Sequence, residues 1–350
     1  MHQTLPQAAP PAATVPLVSI VICTKDRPRE LVRAIESVRA CGAMGRTAEI
    51  IVVEESDLPT AVTGVRHVSH RRQGGGFGQT RNAGVRFAHA PYIVFFDDDC
   101  EAEAGWLERL LAPLEQDATI LGVAGSVLVH NCGTIGYAEN ILGFPGGGLR
   151  YVHEARGRTV PTQVLSTCNC AYRREAYLQA GGCPEDPLYR TPGGEDFVLA
   201  ERIRRLGRCV YVPDAAVYHR PRGSLRSIAR WFAGRGRNEI LALLSTPDPK
   251  SFGAFLLRSS WTVRFVALVG VVFWQPSLIR WLPVCLVVYF AAMLWRYRFA
   301  RAYASHRRAW WVVPLVKLTM DLGTEVGRWQ GLTGLLRSTI LPTPAGSPRI

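Results

Sequence analysis

Tyr92-Ile-Val-Phe-Phe-Asp-Asp-Asp-Cys100 runs from an apolar, β-branched and aromatic stretch straight into three consecutive aspartates. The apolar part reads as a buried strand that delivers Asp97, Asp98 and Asp99 to the edge of a sheet. Adjacent carboxylates repel and raise one another's pKa unless a cation neutralises them, and hard oxygen donors suit Mg²⁺ or Mn²⁺. From Cys100 to Leu111 the apolar spacing becomes that of an amphipathic helix, so strand, acidic turn and helix follow in succession. Taken alone, three aspartates slightly favour a solvated acidic turn or a helix N-cap. The pattern on either side reverses that preference.

Upstream, Val15–Cys23 reads as a first buried strand, followed by the turn Thr24-Lys-Asp-Arg-Pro28 and a helix from Glu30 to about Ala40 with Leu31, Ala34, Ile35 and Val38 on one face. A second strand, Glu49–Val53, ends in Glu54-Glu-Ser-Asp57. A short third, Gly64–Val68, precedes the glycine-rich loop Gln73–Gly78 and a helix over Gln79–Ala88. Strands that alternate with helices imply an α/β fold, a mostly parallel sheet covered on both faces with ligands at the carboxyl ends of its strands. Downstream come a strand over Leu121–Val129 and a long connection from about Gly133 to Val160, rich in glycine at Gly143–Gly148, which reads as a lid or acceptor loop. A polar strand over Val164–Tyr172, a helix over Arg174–Ala180 and the turn Gly193-Gly-Glu-Asp196 opening a helix Phe197–Leu206 follow. The last strand, Cys209–Pro213, runs on to Ala216–His219.

Charge divides the 350 residues unevenly. Residues 1–240 hold 28 Lys+Arg against 25 Asp+Glu, a net of +3, whereas 241–350 hold 13 against 3, a net of +10. That basic tail carries apolar runs at Trp261–Trp274, Trp281–Trp295 and Trp310–Met320, each shorter than the roughly 20 apolar residues a spanning helix needs or interrupted by Arg264, Arg280 or Lys317. Basic residues interleaved with apolar runs bordered by Trp and Tyr point to an anionic membrane surface, not to nucleic acid. The runs are expected in the membrane interface or as a shallow hairpin, with a hairpin buried on the catalytic domain as the alternative. Nine cysteines without metal-finger spacing read as reduced thiols, and Cys168-Asn-Cys170 lacks the two-residue spacer of zinc and redox pairs. The Pro/Ala-rich residues 1–15 carry no secretion signal, so a disordered N-terminus and a cytosolic catalytic part are expected.

The first 240 residues resemble a family 2 glycosyltransferase of the GT-A fold. The resemblance rests on Val18-Ser-Ile-Val-Ile-Cys-Thr-Lys-Asp-Arg27, Ile50-Ile-Val-Val-Glu-Glu-Ser56, Thr80-Arg-Asn-Ala-Gly84, Phe95-Phe-Asp-Asp-Asp99, Cys168-Asn-Cys-Ala-Tyr-Arg-Arg174 and Gly193-Gly-Glu-Asp-Phe197, in that order. It implies a GT-A domain over 16–240, a helical membrane-associated region over 241–340 and a flexible tail over 341–350. It implies a nucleoside-diphosphate sugar donor, with Thr24 and Asp26 near the nucleoside, and Glu54 or Glu55 near base and ribose. Arg81 and Asn82 would contact the donor, the glycines at 74–76 would let the backbone approach the diphosphate, and Asp97 and Asp98 would reach ribose or sugar. Asp99 and His219 would hold a divalent metal, Mg²⁺ or Mn²⁺. Asp196 would be the catalytic base of an inverting transfer, with Glu195 and Asn169 on the acceptor side. An acidic pair that opens a helix also suits the macrodipole without any catalysis.

Arg220, Arg222, Arg226, Arg230, Arg235 and Arg237 offer phosphate recognition, toward the donor diphosphate or a phosphorylated lipid acceptor. Arg230-Trp231 is similar to the Arg-Trp of processive family members, but Ser227 stands where their Gln precedes it, which favours transfer of a single sugar. The expected setting is the cytoplasmic face of the cell membrane, with a lipid-linked or glycan acceptor. Two alternatives stand beside this reading. A sugar nucleotidyltransferase would carry an early glycine-rich loop, and Thr24–Pro28 has no glycine. A non-catalytic sugar-nucleotide-binding scaffold would lose the base or the metal ligands, and both residue types are present.

Overall fold

The computed structural model describes residues 16–42, 48–71, 76–186, 194–245 and 261–340. The ends at 1–15 and 341–350, together with Gly74, Gly75 and Gly193, lie outside the described residues. Strands β1 (Val18–Thr24), β2 (Ala48–Glu54), β3 (Arg66–Ser69) and β4 (Tyr92–Asp97) are parallel, interleaved with helices α1 (Pro28–Ala40) and α2 (Phe77–Arg86) as the alternation requires. Strand β8 (Asn169–Arg173) then pairs antiparallel with β4, and β6 (Ile120–Leu128) pairs antiparallel with β8. Two reversals return β6 to the direction of β4. Strand β9 (Arg208–His219) runs parallel to β6, and β5 (Cys100–Ala102) and β7 (Val160–Pro161) pair antiparallel with β9. The order is β3-β2-β1-β4-β8-β6-β9-β5, a mixed sheet where a mostly parallel one was expected.

This topology positions the chemistry. The carboxyl ends of β1, β2, β4, β6 and β9 and the amino end of β8 all reach one edge, carrying Thr24, Glu54, Asp97 and His219 with them. The pairing Cys100↔His219 between β5 and β9 then sets the imidazole beside the aspartates.

Alternation along the central strands sends side chains to two cores. Ile20, Ile22, Val94 and Phe96 pack against Leu31 and Ile35 of α1 and against Trp106 and Leu110 of α3 (Trp106–Gln116). Val21, Ile51, Ile93 and Phe95 face the other way, toward α2, α6 (Arg174–Gln179) and α7 (Glu195–Leu206). Each of these fully buried aliphatic or aromatic side chains contributes roughly 1.5–3 kcal/mol.

Three expectations are corrected. Residues 100–102 form an edge strand, and the helix starts only at Trp106, because the chain pairs with the end of β9 before it turns. The connection from Gly133 to Val160 is not one long loop. It folds into α4 (Thr134–Ile141) and α5 (Gly148–Ala155), separated by a turn in which Gly143, Gly146, Gly147 and Gly148 all have positive φ. A side chain at Gly146 would also strike Val127 of β6. The polar strand begins at Asn169, and residues 164–168 approach it as a loop.

The tail splits by burial. Helices α9 (Trp261–Trp274) and α10 (Leu282–Arg296) flank the 3₁₀ turn Pro276–Trp281, with Trp274 88% and Val287 68% exposed. Ile279–Arg296 is long and apolar enough to cross a membrane by length and composition, and none of it is buried. At about 1.5 Å per residue it would just match a hydrocarbon core of about 30 Å. The third apolar run behaves differently. Val313, Val316 and Met320 of α11 (Val313–Ile340) are buried with Ile141, Leu142, Ile228 and Phe232 in a core shared with α4 and α8 (Leu225–Ser245). Packing therefore runs across residue 240. Helices α8 and α11 meet backbone to backbone, since a Cβ on Gly327 would run into the Ala233 carbonyl and one on Gly236 into that of Thr324.

Candidate active site

A cavity of about 850 Å³ opens at the sheet edge just described. Its wall includes Thr24, Asp26, Glu55, Arg81, Asp97, Asp98, Asp99, Glu195, Asp196 and His219, residues separated by up to 195 positions in sequence. The structure thus gathers ten of the thirteen side chains the sequence singles out. Glu54, Asn82 and Asn169 are the ones it leaves out.

Each of those three has structural work elsewhere. The Glu54 carboxylate accepts hydrogen bonds from the Thr60 amide (2.9 Å) and hydroxyl (2.7 Å) and sits 2.6 Å from His67 Nε2. Burial would raise its pKa, but the bonds from His67 and Thr60 prevail and hold it below the ordinary value. Glu55, whose amide donates to the Thr24 carbonyl at 3.0 Å, reaches the cavity, and its carboxylate lies 3.4 Å from Lys25. Asn82 donates to the Cys183 carbonyl and to Glu185 and accepts from Tyr177, tying α2 to the turn after α6. Asn169 is fully buried, accepts from the Trp106 indole at 2.8 Å and donates to the carbonyls of Ser126 and Ala215.

The three aspartates point to different partners. Asp98 accepts from the Thr24 hydroxyl at 2.7 Å and from Arg27 at 3.1 Å, and burial pushes its carboxyl up to about 6, against the Thr24 bond. Asp97 is raised by burial too, with Arg81 opposing the shift. Asp99 lies 3.1 Å from His219 Nε2 and accepts from Arg27 at 3.2 Å. Asp26 adopts a left-handed φ of 53° in the turn after β1, a conformation that aspartate tolerates better than most residues.

The donor set suits a divalent cation. His219 Nδ1 is buried with no hydrogen-bond partner among the described residues, and Nε2 faces a carboxylate oxygen of Asp99. An imidazole nitrogen with a carboxylate oxygen fits Mn²⁺ or Mg²⁺ completed by phosphate oxygens. Cys100 is near the same spot, but burial raises its thiol pKa far above normal and its S–H points to the Cys168 carbonyl at 3.8 Å, so it stays a neutral core thiol.

Glu195 and Asp196 open α7 and part company at once. Glu195 is buried and forms an ion pair with buried Arg81 at 2.8 Å, bridging α7 to α2, while its Oε2 has no partner among the described residues. Removing one partner of a buried pair strands the other charge. Glu195→Ala is therefore expected to lower unfolding stability by roughly 3–5 kcal/mol, read from urea denaturation, whereas a loss under about 1 kcal/mol contradicts the bridge. Asp196 Oδ1 accepts from the Phe197 amide at 2.9 Å. Burial first and neighbouring Glu195 second raise its carboxyl to about 6, against the pull of Arg81 and Arg235.

Sequence reasoning gave six arginines equal standing, and the fold sorts them. Arg220, Arg222 and Arg235 line the cavity. Arg220 pairs with Glu30 at 3.0 Å, and Arg222 pairs with buried Glu139 while lying 4.0 Å from the Trp231 ring centroid. Arg235 lies 5.1–5.7 Å from the rings of Phe197, Phe144 and Trp231. Arg27 and Arg150 also line the cavity and went unnoticed, although Arg27 belongs to the Thr24–Pro28 turn that the motif already marked.

Residues 19–180 match the family model described as Glycosyl transferase family 2. An uncharacterized protein of Sinorhizobium fredii is 28% identical over 236 residues, covering 60% of this chain and 25% of that protein. N-acetylgalactosaminyltransferase 7 of Drosophila melanogaster is 27% identical over 179 residues, covering 46% of this chain and 30% of that one. The matched region thus spans only about a quarter to a third of these relatives. Among solved structures, a mannosyltransferase from Pyrobaculum calidifontis, in complex with GDP-Man and Mn²⁺, superposes with a TM-score of 0.54 at 18% identity over 91% of this chain and 90% of that one, a likeness of fold. The part of the chain that carries β1, β4 and Asp97–Asp99 is therefore similar to glycosyl transferase family 2, and the fold of the chain is like that of the mannosyltransferase.

Proposed function

We propose that the chain is an inverting, metal-dependent glycosyltransferase that moves one sugar from a nucleoside-diphosphate sugar to a hydroxyl of a lipid-linked or membrane-near glycan acceptor. The observation that carries this reading is Asp196, a half-buried carboxylate at the cavity wall with its pKa raised to about 6, sharing one cavity with Asp97–Asp99 and His219. The Phe197 amide fixes Oδ1, which leaves Oδ2 to take the acceptor's proton as its oxygen attacks the anomeric carbon from the face opposite the diphosphate. Thr24, Asp26 and Glu55 supply acceptors and a hydroxyl for the nucleoside, and Arg81 sets positive charge on the donor's side of the base. A cation held by Asp99 and His219 would offset the charge that develops on the departing diphosphate. The N-acetylgalactosaminyltransferase named above, and the mannosyltransferase solved with GDP-Man and Mn²⁺, support a nucleotide-sugar donor and a divalent metal.

Incubation of the full chain with Mn²⁺, a panel of UDP- and GDP-sugars and extracted lipids and glycans tests the reaction class. Release of nucleoside diphosphate, with the anomeric configuration of the product inverted by NMR, is expected. Formation of nucleotide sugar from sugar phosphate and nucleoside triphosphate would instead establish a nucleotidyltransferase.

The exposed apolar surface of α9 and α10, followed by Arg296, Arg298 and Arg301, supports anchoring at the cytoplasmic membrane face, where anionic lipids attract basic residues. Because α11 belongs to the shared core, truncation is a poor test, and substitution on α10 is a clean one. Changing Leu286, Val287 and Val288 together to Lys is expected to move most of the protein from the membrane fraction to the soluble one with its thermal transition kept. Unchanged membrane partition would assign anchoring elsewhere.

A further inference from the structure

A second, smaller cavity of about 470 Å³ opens where the tail meets the catalytic domain. Arg150, His153, Arg296, Arg298 and Phe299 line it, against a single carboxylate from Glu154. Arg150 lines this cavity and the active-site cavity as well, so one guanidinium stands between the two. Its Nε is buried without a hydrogen-bond partner, and the nearest carboxylate oxygen, on Glu154, is 3.7 Å away. A buried N–H left unmade is costly, and a bound acceptor oxygen would satisfy it.

The surroundings grade from apolar to catalytic. Exposed Val287, Val288 and Trp295 lie along α10, which ends at Arg296. Arg298 donates to the Trp295 carbonyl at 3.0 Å, and its guanidinium sits 4.2 Å from the Trp295 ring centroid, an arrangement suited to the level of lipid headgroups. His153 stacks on Phe299 at 4.3 Å and closes the groove from the side of α5. The active-site cavity that Arg150 also lines holds Arg235, which forms no ion pair among the described residues and acts electrostatically on Asp196. Hydrocarbon surface, a cluster of cations, a bridging guanidinium and the base thus follow one another.

We infer that the acceptor is an amphiphile bearing a phosphate ester. Its hydrocarbon lies along α10, its phosphate is held by Arg150 between the groove of Arg296 and Arg298 and the cavity at Arg235, and a hydroxyl of its head group reaches Asp196. Planar guanidinium forks match phosphate oxygens two at a time, and several of them around one group suit its multiple negative charge. This inference rests on the proposed role of Asp196 as base.

The test is calorimetric titration of the full chain, in a neutral detergent free of phosphate, with farnesyl phosphate, farnesol and inorganic phosphate. Farnesyl phosphate is expected to bind at least about tenfold more tightly than either of the others, and Arg150→Gln and the exposed variant Arg298→Gln are each expected to weaken it by about tenfold. Affinity for UDP or GDP with Mn²⁺, measured on the same samples, is expected to stay unchanged in Arg298→Gln. Equal binding of farnesol overturns phosphate recognition, and equal binding of inorganic phosphate overturns the lipid. Displacement by nucleotide with Mn²⁺ puts the probe in the donor site and overturns the inference. Absence of farnesyl phosphate binding with nucleotide binding intact overturns it as well, and leaves the glycosyltransferase reading standing.

Discussion

Asp196→Asn is expected to lower turnover by roughly 10²–10⁴-fold while nucleotide affinity changes by no more than about twofold. The amide keeps the shape of the carboxylate and its bond from the Phe197 amide, so the fold and the donor side of the cavity survive. It cannot accept the hydroxyl proton, and the acceptor oxygen must then attack without deprotonation. The same carboxyl contributes to the acid side of the pH dependence, together with Asp98, which burial also raises to about 6. The Asp196 pKa is raised to about 6, so the competent, ionised form is lost as pH falls through that value. With saturating Mn²⁺, kcat/KM should be level above about pH 7 and fall at least tenfold per pH unit on the acid side of the pKa. Near-normal turnover in Asp196→Asn would remove the residue from the mechanism, and an acid limb centred near 4 would mean that burial does not perturb it.

Asp99→Ala carries the second-largest expected effect. Its carboxylate meets His219 Nε2 at 3.1 Å, and deletion leaves an imidazole without its anionic partner in the proposed cation site. Loss of several kcal/mol of charge stabilisation on the leaving diphosphate, at about 1.36 kcal/mol per tenfold, gives a fall in turnover of roughly 10²–10³-fold. Nucleotide binding in this variant should no longer respond to Mn²⁺. Chelation of the unaltered protein should reproduce the loss, and readdition of Mn²⁺ should reverse it. Activity that survives both chelation and Asp99→Ala contradicts a metal-dependent reaction.

How much of this was legible in the sequence depended on the range of the interactions concerned. The strands that end in Thr24 and Asp97 and the helices between them were readable because each buries a local, periodic apolar face, Leu31, Ala34, Ile35 and Val38 on α1 being one example. The antiparallel insertion of β8 beside β4 was not readable, because strand direction is fixed by pairing between residues some 80 positions apart. Helices α4 and α5 were hidden by Gly143, Gly146, Gly147 and Gly148, which mark a turn between two short helices as readily as a loop. At the site, the motif residues Thr24, Asp26, Arg81, Asp97–Asp99, Asp196 and His219 all reach the cavity wall. They diverge where a polar residue is needed to hold the frame. Glu54, Asn82 and Asn169 spend their hydrogen bonds on Thr60, Cys183 and Ser126, and only side-chain direction distinguishes them from residues one position away that face the cavity, as Glu55 shows beside Glu54. Arg150 carries no local signature, because its significance comes from lining two cavities at once, and nothing local separates Arg235, which shares the cavity of Asp196, from the other arginines of its stretch.

Titration of the purified full chain with UDP, GDP and dTDP, each with and without Mn²⁺, tests the central claim most directly. The account predicts that one nucleoside diphosphate binds with Mn²⁺ at least about tenfold more tightly than without it, a difference of about 1.4 kcal/mol, and that Asp99→Ala abolishes the difference. Absence of binding for all three, or binding indifferent to the metal, would contradict a metal-dependent nucleotide-sugar site at Asp97–Asp99 and His219.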